Sequence, residues 1–191
     1  MESEKEQKVL EAAQTVFQRH GFRRVTMQDV ANEAGISRPA LYLIYPNKEE
    51  IFKAAALRMS ARILAELRTS LPTLPTVQAQ LAHAFELWSV NTFEMMLNSP
   101  DARDIIECSQ GFARETIHRI SSQFEELLVK ILEPLTPPSS KPPLPLTQIA
   151  HLLVVSTHGF KEAATTAAEL RDLIAGQLTL TLAALQPQPI S

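Results

Sequence analysis

The sequence contains a single cysteine and no long hydrophobic run. Cys108 therefore has no partner for a disulfide within the chain. A protein without disulfides is typical of the reducing interior of a cell. We interpret Cys108 as a small core thiol, since no motif supports a catalytic cysteine. No apolar run approaches the roughly 18 residues that span a bilayer, and the opening segment MESEKEQK is polar and mixed in charge, unlike a signal peptide. We therefore expect a cytoplasmic protein.

Groups that would perform catalysis or bind a metal are missing as well. The one cysteine and five histidines do not have the spacing of metal ligands. The sequence contains no nucleophile elbow, no phosphate-binding loop and no paired carboxylates in an apolar setting. We therefore expect no enzymatic activity, no metal site and no cofactor.

Strand signals are nearly absent, whereas helical periodicity runs through the chain. No segment sustains a polar–apolar alternation, and no Asn-Gly or Asp-Gly pair marks a hairpin. The first helix is predicted to begin at Ser3, whose capping partner is Glu6, and to end at Gly21. Its apolar stripe consists of Val9, Ala13, Val16 and Phe17. The pattern predicts an all-α protein of about nine helices.

Two short helices follow, each predicted to be about eight residues long. Thr26 and Asp29 have the spacing of a capping pair at the start of the second helix, and Gly35 ends that helix. Ser37 can cap the third helix, which Pro46 stops. Two short helices joined by a tight turn are the layout of a helix-turn-helix, although an ordinary helical hairpin has the same layout.

A long fourth helix is predicted to begin at Asn47 and to reach about Ser70. We place a three-helix, helix-turn-helix domain in residues 1–50 and a second helical domain in residues 51–191. The fourth helix would join the two domains. Residues 134–145 are dense in proline and predict a semi-rigid, extended connector.

The charges are unevenly distributed along a chain whose net charge is -3. Between Arg19 and Lys48 there are five cations and two acids. The cations are Arg19, Arg23, Arg24, Arg38 and Lys48. A modest basic patch is therefore expected on an acidic molecule, and on its own such a patch is more often solvated surface than a binding site.

Residues 26–52, TMQDVANEAGISRPALYLIYPNKEEIF, resemble the DNA-binding segment of the TetR family of bacterial repressors. The shared features are a threonine that opens the second helix, the Ala-x-x-Ala-Gly-Ile-Ser turn, the Leu41-Tyr42 pair and the Pro-Asn-Lys-Glu-Glu sequence at 46–50. Residues 12–22 also fit the family's first helix. The resemblance covers about fifty residues, whereas the C-terminal part fits only in length and in number of helices.

The resemblance implies that the third helix enters the major groove of double-stranded DNA. At its N-terminal end, Arg38 can form two hydrogen bonds with a guanine, and Ala40 can touch a thymine methyl. Hydroxyl and ammonium groups suit phosphate contacts, as do the N–H groups at the start of the fourth helix. The predicted DNA-binding residues are Thr26, Gln28, Ser37, Arg38, Pro39, Ala40, Tyr42, Tyr45 and Lys48. Lys48 is expected to anchor a phosphate.

Two of these residues have an alternative role. Arg38 can bind a phosphate instead of a base, and Tyr42 can be a core aromatic. Many family members carry an aromatic residue and a histidine directly after the tyrosine, whereas this chain has Leu43 and Ile44. Loss of these polar contacts is expected to weaken sequence-independent binding to DNA, unless Tyr45 faces the groove and compensates.

The resemblance also implies a homodimer built by the last two helices, at about 146–162 and 167–185. Their apolar stripes suit half of a four-helix bundle, although the same stripes can form a core within one subunit. The predicted interface residues are Ile149, Leu153, Phe160, Leu170, Ile174, Leu178 and Leu182.

Relatives in this family bind a small effector in the C-terminal domain. The candidate lining residues are Phe85, Trp88, Phe93, Met96, Phe112, Phe124 and His158. Their apolar character favours an apolar or weakly charged ligand. The predicted function is a transcriptional repressor that such an effector releases from a palindromic operator. The alternative is a helical small-molecule binding protein without specific DNA binding, which the acidic net charge would suit.

Overall fold

The computed structural model describes residues 4–97, 108, 111–136 and 142–185. These residues form helices joined by short turns, and none of them lies in a β-strand. The N-terminal helices are α1 (Glu4–Arg24), α2 (Met27–Glu33), α3 (Arg38–Tyr42) and α4 (Lys48–Ser70). The later helices are α5 (Val77–Phe85), α6 (Asn91–Leu97), α7 (Arg114–Leu132), α8 (Leu146–Ala163) and α9 (Ala167–Leu185). The all-α prediction is confirmed, while the predicted cap at Ser3 and the middle of the proline-rich connector lie outside the described residues.

The chain divides into two compact units. The first unit consists of Met1–Arg62 and Met95–Arg119, and the second consists of Ile63–Glu94 and Ile120–Ser191. The functional division at residue 50 stays a prediction. Across the described ranges, none of the helices combines the length and the apolarity needed to cross a membrane.

The first unit is built around four aromatic rings. Phe17, Phe22 and Phe52 come from α1 and α4, and their ring centroids lie 5.4–5.9 Å apart. Phe112 completes the cluster, at 5.1 Å from Phe22 and 5.6 Å from Phe52. Gly21, with φ 70° and ψ 166°, interrupts the regular helix at the predicted position, and a short second helical segment follows the kink as far as Arg24. Contacts between rings at these distances add to the hydrophobic stabilisation of the unit.

The second unit has a mixed aliphatic and aromatic core. From α5 the chain passes through a π-helical turn, Glu86–Val90, into α6. The Trp88 ring stacks on Phe124 of α7 with centroids 4.3 Å apart, and Phe85 meets the same ring edge-on at 5.3 Å. Leucine and isoleucine side chains of α4, α5, α7, α8 and α9 make up most of the rest of this core.

Candidate DNA-binding surface

A reciprocal cap fixes the start of α2. The backbone N–H of Asp29 donates to Thr26 Oγ1 at 3.3 Å, and the Asp29 carboxylate accepts from the Thr26 backbone N–H at 2.8 Å. The Thr26 hydroxyl also donates to this carboxylate at 2.7 Å. These hydrogen bonds from Thr26 lower the pKa of Asp29 below its usual value. The capping pair predicted from the sequence is confirmed.

The turn between α2 and α3 depends on a glycine. Gly35 has φ 67°, and a Cβ added there would meet nothing within 4 Å. The requirement is therefore conformational rather than steric, because glycine adopts the left-handed region without a Cβ penalty. After the turn, Ser37 caps α3 by accepting from the Ala40 N–H at 3.3 Å, and Pro39 lies in the first turn, where it costs no hydrogen bond.

Helix α3 presents an arginine–tyrosine pair to solvent. Leu41 is fully buried and holds the helix against the first unit. On the outer side, Arg38 Nη2 donates to Tyr42 Oη at 3.2 Å, and the guanidinium carbon lies 5.5 Å from the centre of the Tyr42 ring. Tyr42 is 43% exposed, so it is not a core aromatic. The helix has five residues, fewer than the eight predicted.

The remaining α2 and α3 residues predicted to contact DNA are spread over exposed positions. Thr26, Gln28, Ser37 and Pro39 are exposed, and Ala40 is half-buried. Gln28 Nε2 donates to Asn32 Oδ1 at 2.7 Å, one turn further along α2. Four of these five predicted residues are therefore exposed on the helix-turn-helix.

The two residues after Tyr42 and the next tyrosine differ in exposure. Leu43 is 89% exposed, whereas Ile44 packs against the core of the first unit. Tyr45 is half-buried and packs against the same core. The conditional prediction that Tyr45 faces DNA is therefore not supported by its position, because much of the ring is occupied by packing.

Lys48 lies at the first position of α4 and contacts main-chain oxygens. Its Nζ donates to the carbonyl oxygens of Phe22 at 2.9 Å, Arg23 at 3.2 Å and Val25 at 2.9 Å. The ammonium also lies 4.4 Å from the centre of the Phe22 ring. An ammonium group has three hydrogens, and all three are used here. The prediction that Lys48 anchors a phosphate is corrected: the side chain ties the end of α1 to the start of α4.

The N-terminal part of the chain matches known regulators. Residues 9–55 match the model of the bacterial regulatory proteins of the tetR family. The uncharacterized HTH-type transcriptional regulator YfiR of Bacillus subtilis is 51% identical over 45 residues, which are 24% of this chain and 22% of the relative. The HTH-type transcriptional activator FasR of Mycolicibacterium smegmatis is 30% identical over 83 residues, which are 44% of this chain and 38% of the relative. These matches span less than two fifths of either relative.

The fold extends the likeness over the rest of the chain. A TetR-like transcriptional regulator from Rhodococcus sp. RHA1 is 26% identical, with a TM-score of 0.60 over 94% of this chain and 96% of that one. Residues 9–55 therefore carry the DNA-binding segment typical of the tetR family, and the rest of the chain shares the fold of TetR-like regulators. Thermus thermophilus FadR, a TetR-family transcriptional repressor solved in complex with lauroyl-CoA, has the same fold, with a TM-score of 0.68, 20% identity and 97% of each chain covered. Family members of this kind are regulators, not enzymes.

The α8 and α9 stripes predicted to form the TetR-type dimer interface face the interior of their own subunit. Five of the seven residues are buried in the core of the second unit, and Phe160 and Leu182 are half-buried against it. The buried five are Ile149, Leu153, Leu170, Ile174 and Leu178. The other side of these helices carries the large apolar residues that remain exposed: Leu152, Val155, Leu173 and Leu180. The intramolecular core therefore occupies the predicted interface residues, and the dimer interface itself stays a prediction.

The residues predicted to line an effector pocket do not form one group. Phe85, Phe93 and Phe124 are buried in the core of the second unit, and Trp88 packs against it. Phe112 instead belongs to the aromatic cluster of the first unit, so its assignment to a C-terminal pocket is wrong. His158 is exposed, and Met96 belongs to the first unit. A groove of about 420 Å³ lies elsewhere, in the first unit, and Tyr45 is the one predicted site residue among its lining residues.

Proposed function

We propose that this chain is a homodimeric transcriptional regulator that binds a palindromic operator through α3. The observation that carries the proposal is the exposed Arg38–Tyr42 pair on a short helix whose start is capped and whose inner side is anchored by Leu41. A recognition helix needs this arrangement, since base edges are reached by the N-terminal residues of a helix held rigidly from behind.

Each exposed residue has a role that its chemistry suits. Arg38 reads a guanine through O6 and N7, and the small Ala40 side chain contacts a thymine methyl. The hydroxyl groups of Ser37 and Tyr42 bind phosphates, as does the Gln28 amide, whereas Thr26 contributes by capping α2. In the free protein the contact with Tyr42 restricts the Arg38 guanidinium, which reduces the entropy lost when it meets DNA.

The proposed dimer uses the exposed apolar side of α8 and α9. In α8, Leu152 and Val155 are followed by Gly159, seven residues after Leu152, and in α9, Leu173 and Gly176 are followed by Leu180. These spacings of three and seven residues place each set on one helix face. Solvent-exposed leucines of this kind, aligned along two adjacent helices, favour contact with a second copy. A two-fold dimer presents two α3 helices to inverted half-sites, hence the palindrome.

The two glycines support the same interface. A Cβ added at Gly159 or Gly176 would meet nothing within 4 Å among the residues that the structure describes. A glycine in the interior of a helix costs about 1 kcal/mol relative to alanine. Because packing within the subunit does not require either glycine, close approach by a partner helix is the contact that would use them.

We further propose that a small, largely apolar effector weakens binding to the operator. Support comes from Thermus thermophilus FadR, which has the same fold and was solved with lauroyl-CoA. A ligand that binds more tightly to a conformer with misplaced α3 helices shifts the population away from DNA. The proposed sign of regulation is repression, as in that relative.

The test of DNA recognition is a footprint and gel-shift titration on the DNA upstream of the gene. Arg38→Ala is expected to cost about 1–3 kcal/mol on the operator and to relax preference at one base pair per half-site. Arg68→Ala removes the same charge from an exposed position in the second unit and is expected to leave the footprint unchanged. Equal losses on operator and random DNA for Arg38→Ala would contradict the base-reading role. A protein that binds ligand but contacts DNA only in a salt-labile, sequence-blind way would support the alternative of a helical binding protein.

The test of the dimer is sedimentation of surface variants. Leu180 is 74% exposed, so Leu180→Glu is expected to leave the subunit folded and to produce monomers. Leu43→Glu places the same charge at a residue that is 89% exposed in the first unit, and this variant is expected to remain dimeric. A Leu180→Glu protein that sediments as a dimer at micromolar concentration would rule out this interface.

A further inference from the structure

We infer that the groove of the first unit is a binding site for a small amphipathic anion, a carboxylate carried on a flat apolar body. The groove has a volume of about 420 Å³, which lies within the range of small-molecule sites in proteins. It is lined by Tyr45, Pro46, Glu50, Lys53, Ala54, Leu57, Thr116 and Arg119. All of these residues belong to the first unit.

Three segments form the walls of the groove. Glu50, Lys53, Ala54 and Leu57 are spaced three, four and seven residues along α4 and therefore share one helix face. Thr116 and Arg119 are spaced three residues along α7 and contribute a second wall. Tyr45 and Pro46, which precede α4, contribute the remaining lining.

The charges of the groove favour an anion. Lys53 Nζ and Glu50 Oε1 lie 2.5 Å apart, so these two charges are matched to each other. Arg119 is exposed and has no hydrogen-bond or ion-pair partner among the residues that the structure describes. A guanidinium offers a planar fork of donors that binds a carboxylate through two parallel hydrogen bonds. One unmatched positive charge at the groove therefore selects a single negative group.

The rest of the lining favours an apolar body on the same ligand. Half of the lining residues, Tyr45, Pro46, Ala54 and Leu57, contribute ring or aliphatic surface. A DNA backbone would satisfy Arg119 but would leave this apolar wall uncovered, because its outer surface is entirely polar. An aromatic carboxylate covers the wall and pairs with Arg119 at the same time.

The groove is connected to α3 through the main chain. The N–H groups of Ile44 and Tyr45 both donate to the Leu41 carbonyl oxygen, at 3.0 and 2.9 Å. Tyr45 therefore lies against the last turn of α3 while its side chain lines the groove. An occupant that favours one position of Tyr45 and Pro46 also favours one position of α3. This link between the groove and α3 rests on the proposed DNA-binding function, whereas binding of the anion in the groove does not.

The test uses the full chain, sodium benzoate as the probe and ¹⁵N–¹H correlation spectra without DNA. We expect saturable shifts at Tyr45, Lys53 and Thr116, and at least fivefold weaker binding of benzoate by Arg119→Gln. Neutral benzamide, which has the same ring without the charge, is expected to bind as weakly. Arg68→Gln, which removes an exposed arginine from the second unit, is the matched control and is expected to bind benzoate normally. Shifts confined to the second unit, or unchanged affinity in Arg119→Gln, would overturn the assignment.

A second measurement separates the site from the proposed function. Operator affinity is determined with and without saturating benzoate for the original chain and for Arg119→Gln. A benzoate effect on DNA affinity that disappears in Arg119→Gln supports the link between the groove and α3. Benzoate binding without any effect on operator affinity overturns that link and leaves the site intact. Failure to bind any operator contradicts the proposed function, whereas the spectra still decide whether the groove binds the anion.

Discussion

The two compact units are held in shape by different kinds of contact. In the first unit, α2 has seven residues and α3 has five, and helices this short are not stable alone in water. Their geometry depends on a few polar contacts: the Thr26 and Ser37 caps and the Lys48 ammonium on three carbonyl oxygens. In the second unit, α8 and α9 have 18 and 19 residues, and many apolar side chains hold them.

This difference determines which kind of change each unit tolerates. Although the first unit has an apolar core of its own, its two short helices depend on a few hydrogen bonds and should lose their local geometry when one of these is removed. A unit that depends on many apolar contacts distributes the loss, but it is penalised by any polar group facing inward without a partner. Gln177 Oε1 of α9 is such a group: it is buried and has no hydrogen-bond partner within the described ranges. We therefore expect the loss of a capping or bridging polar group to destabilise the first unit. The loss of an inward-facing polar group without a partner should instead stabilise the second unit.

Replacement of Lys48 is the largest effect expected from this comparison. Lys48→Met removes three hydrogen bonds and leaves partly buried carbonyl oxygens unpaired, which should lower the free energy of unfolding by about 3 kcal/mol. Lys53→Met, five residues later in α4, removes a lysine that is paired with the exposed carboxylate of Glu50, and it should cost less than about 1 kcal/mol. Urea unfolding followed by circular dichroism measures both.

Lys48→Arg distinguishes the structural role from a phosphate contact. An arginine keeps the charge, so a phosphate anchor would retain most of its affinity for DNA. Three carbonyl oxygens arranged around one ammonium do not match a planar guanidinium, so this variant should lose stability almost as Lys48→Met does. A stable Lys48→Arg protein with an unchanged salt dependence of DNA binding would restore the phosphate role and weaken the comparison.

Lys161 gives the opposite effect in the second unit. It lies four residues after Thr157 and seven after Val154, both buried, so its side chain points toward the same interior side of α8. It has no hydrogen-bond or ion-pair partner within the described part of the chain. Burial lowers the pKa of Lys161 to about 8. Since the residue is only half-buried by surface area, we expect Lys161→Met to stabilise the protein by about 2 kcal/mol at pH 7.

The stabilising effect of Lys161→Met should depend on pH, because the folded and unfolded chains release the Lys161 proton at different pH values. Between pH 8 and the ordinary lysine pKa of 10.5, the unfolded chain binds a proton that the folded chain has released. Stability contributed by this site therefore rises with pH across that window. The advantage of Lys161→Met over the original chain should shrink from pH 7 to pH 10 in thermal unfolding. Lys130→Met, an exposed substitution in α7, should show no such trend, and an equal trend in both variants would contradict the assignment.

The same distinction accounts for the features that the sequence predicts. The Thr26–Asp29 pair and Ser37 are signals that lie within three residues of their partners, and both caps occur as predicted. The fourth helix likewise starts next to Asn47, whose side chain accepts from the Glu50 N–H. Gly35 is likewise recognisable because the turn conformation is a property of the residue itself. The all-α fold and the helix-turn-helix follow from these local signals together with the apolar periodicity.

The features that the sequence does not predict depend on distant partners. Lys48 finds its carbonyl oxygens 23 to 26 residues earlier in the chain, and no local pattern indicates this. Phe112 packs with Phe22 and Phe52, although its neighbours in sequence favour the C-terminal domain. The sequence shows that α8 and α9 carry apolar stripes, but two apolar sides exist on these helices. Which side meets the subunit's own core is decided by tertiary packing alone.

The smallest effect is expected from removing one N-terminal helix cap in each unit. Thr26→Ala removes the reciprocal cap of α2, and Thr76→Ala removes the cap of α5, where Thr76 Oγ1 accepts from the Ala79 N–H at 3.1 Å. The loss of an N-cap costs about 1 kcal/mol on average. We expect the free energy of unfolding to fall by more than this in Thr26→Ala and by less in Thr76→Ala. The second loss is smaller because α5 continues through Glu86–Val90 into α6 and keeps its apolar contacts.

Hydrogen exchange of single amides measures the loss of stability and shows which helix it affects. In Thr26→Ala the amides of Asp29, Val30 and Ala31 should exchange faster while those of α5 stay protected. In Thr76→Ala the faster exchange should stop within the first turn of α5. Asp29→Asn retains an acceptor for the Thr26 N–H but removes the negative charge of the carboxylate, whose pKa the cap lowers. The stability of this variant should therefore lie between that of the original chain and that of Thr26→Ala. Equal losses for the two threonine variants would mean that α2 is held by packing after all, as the second unit is.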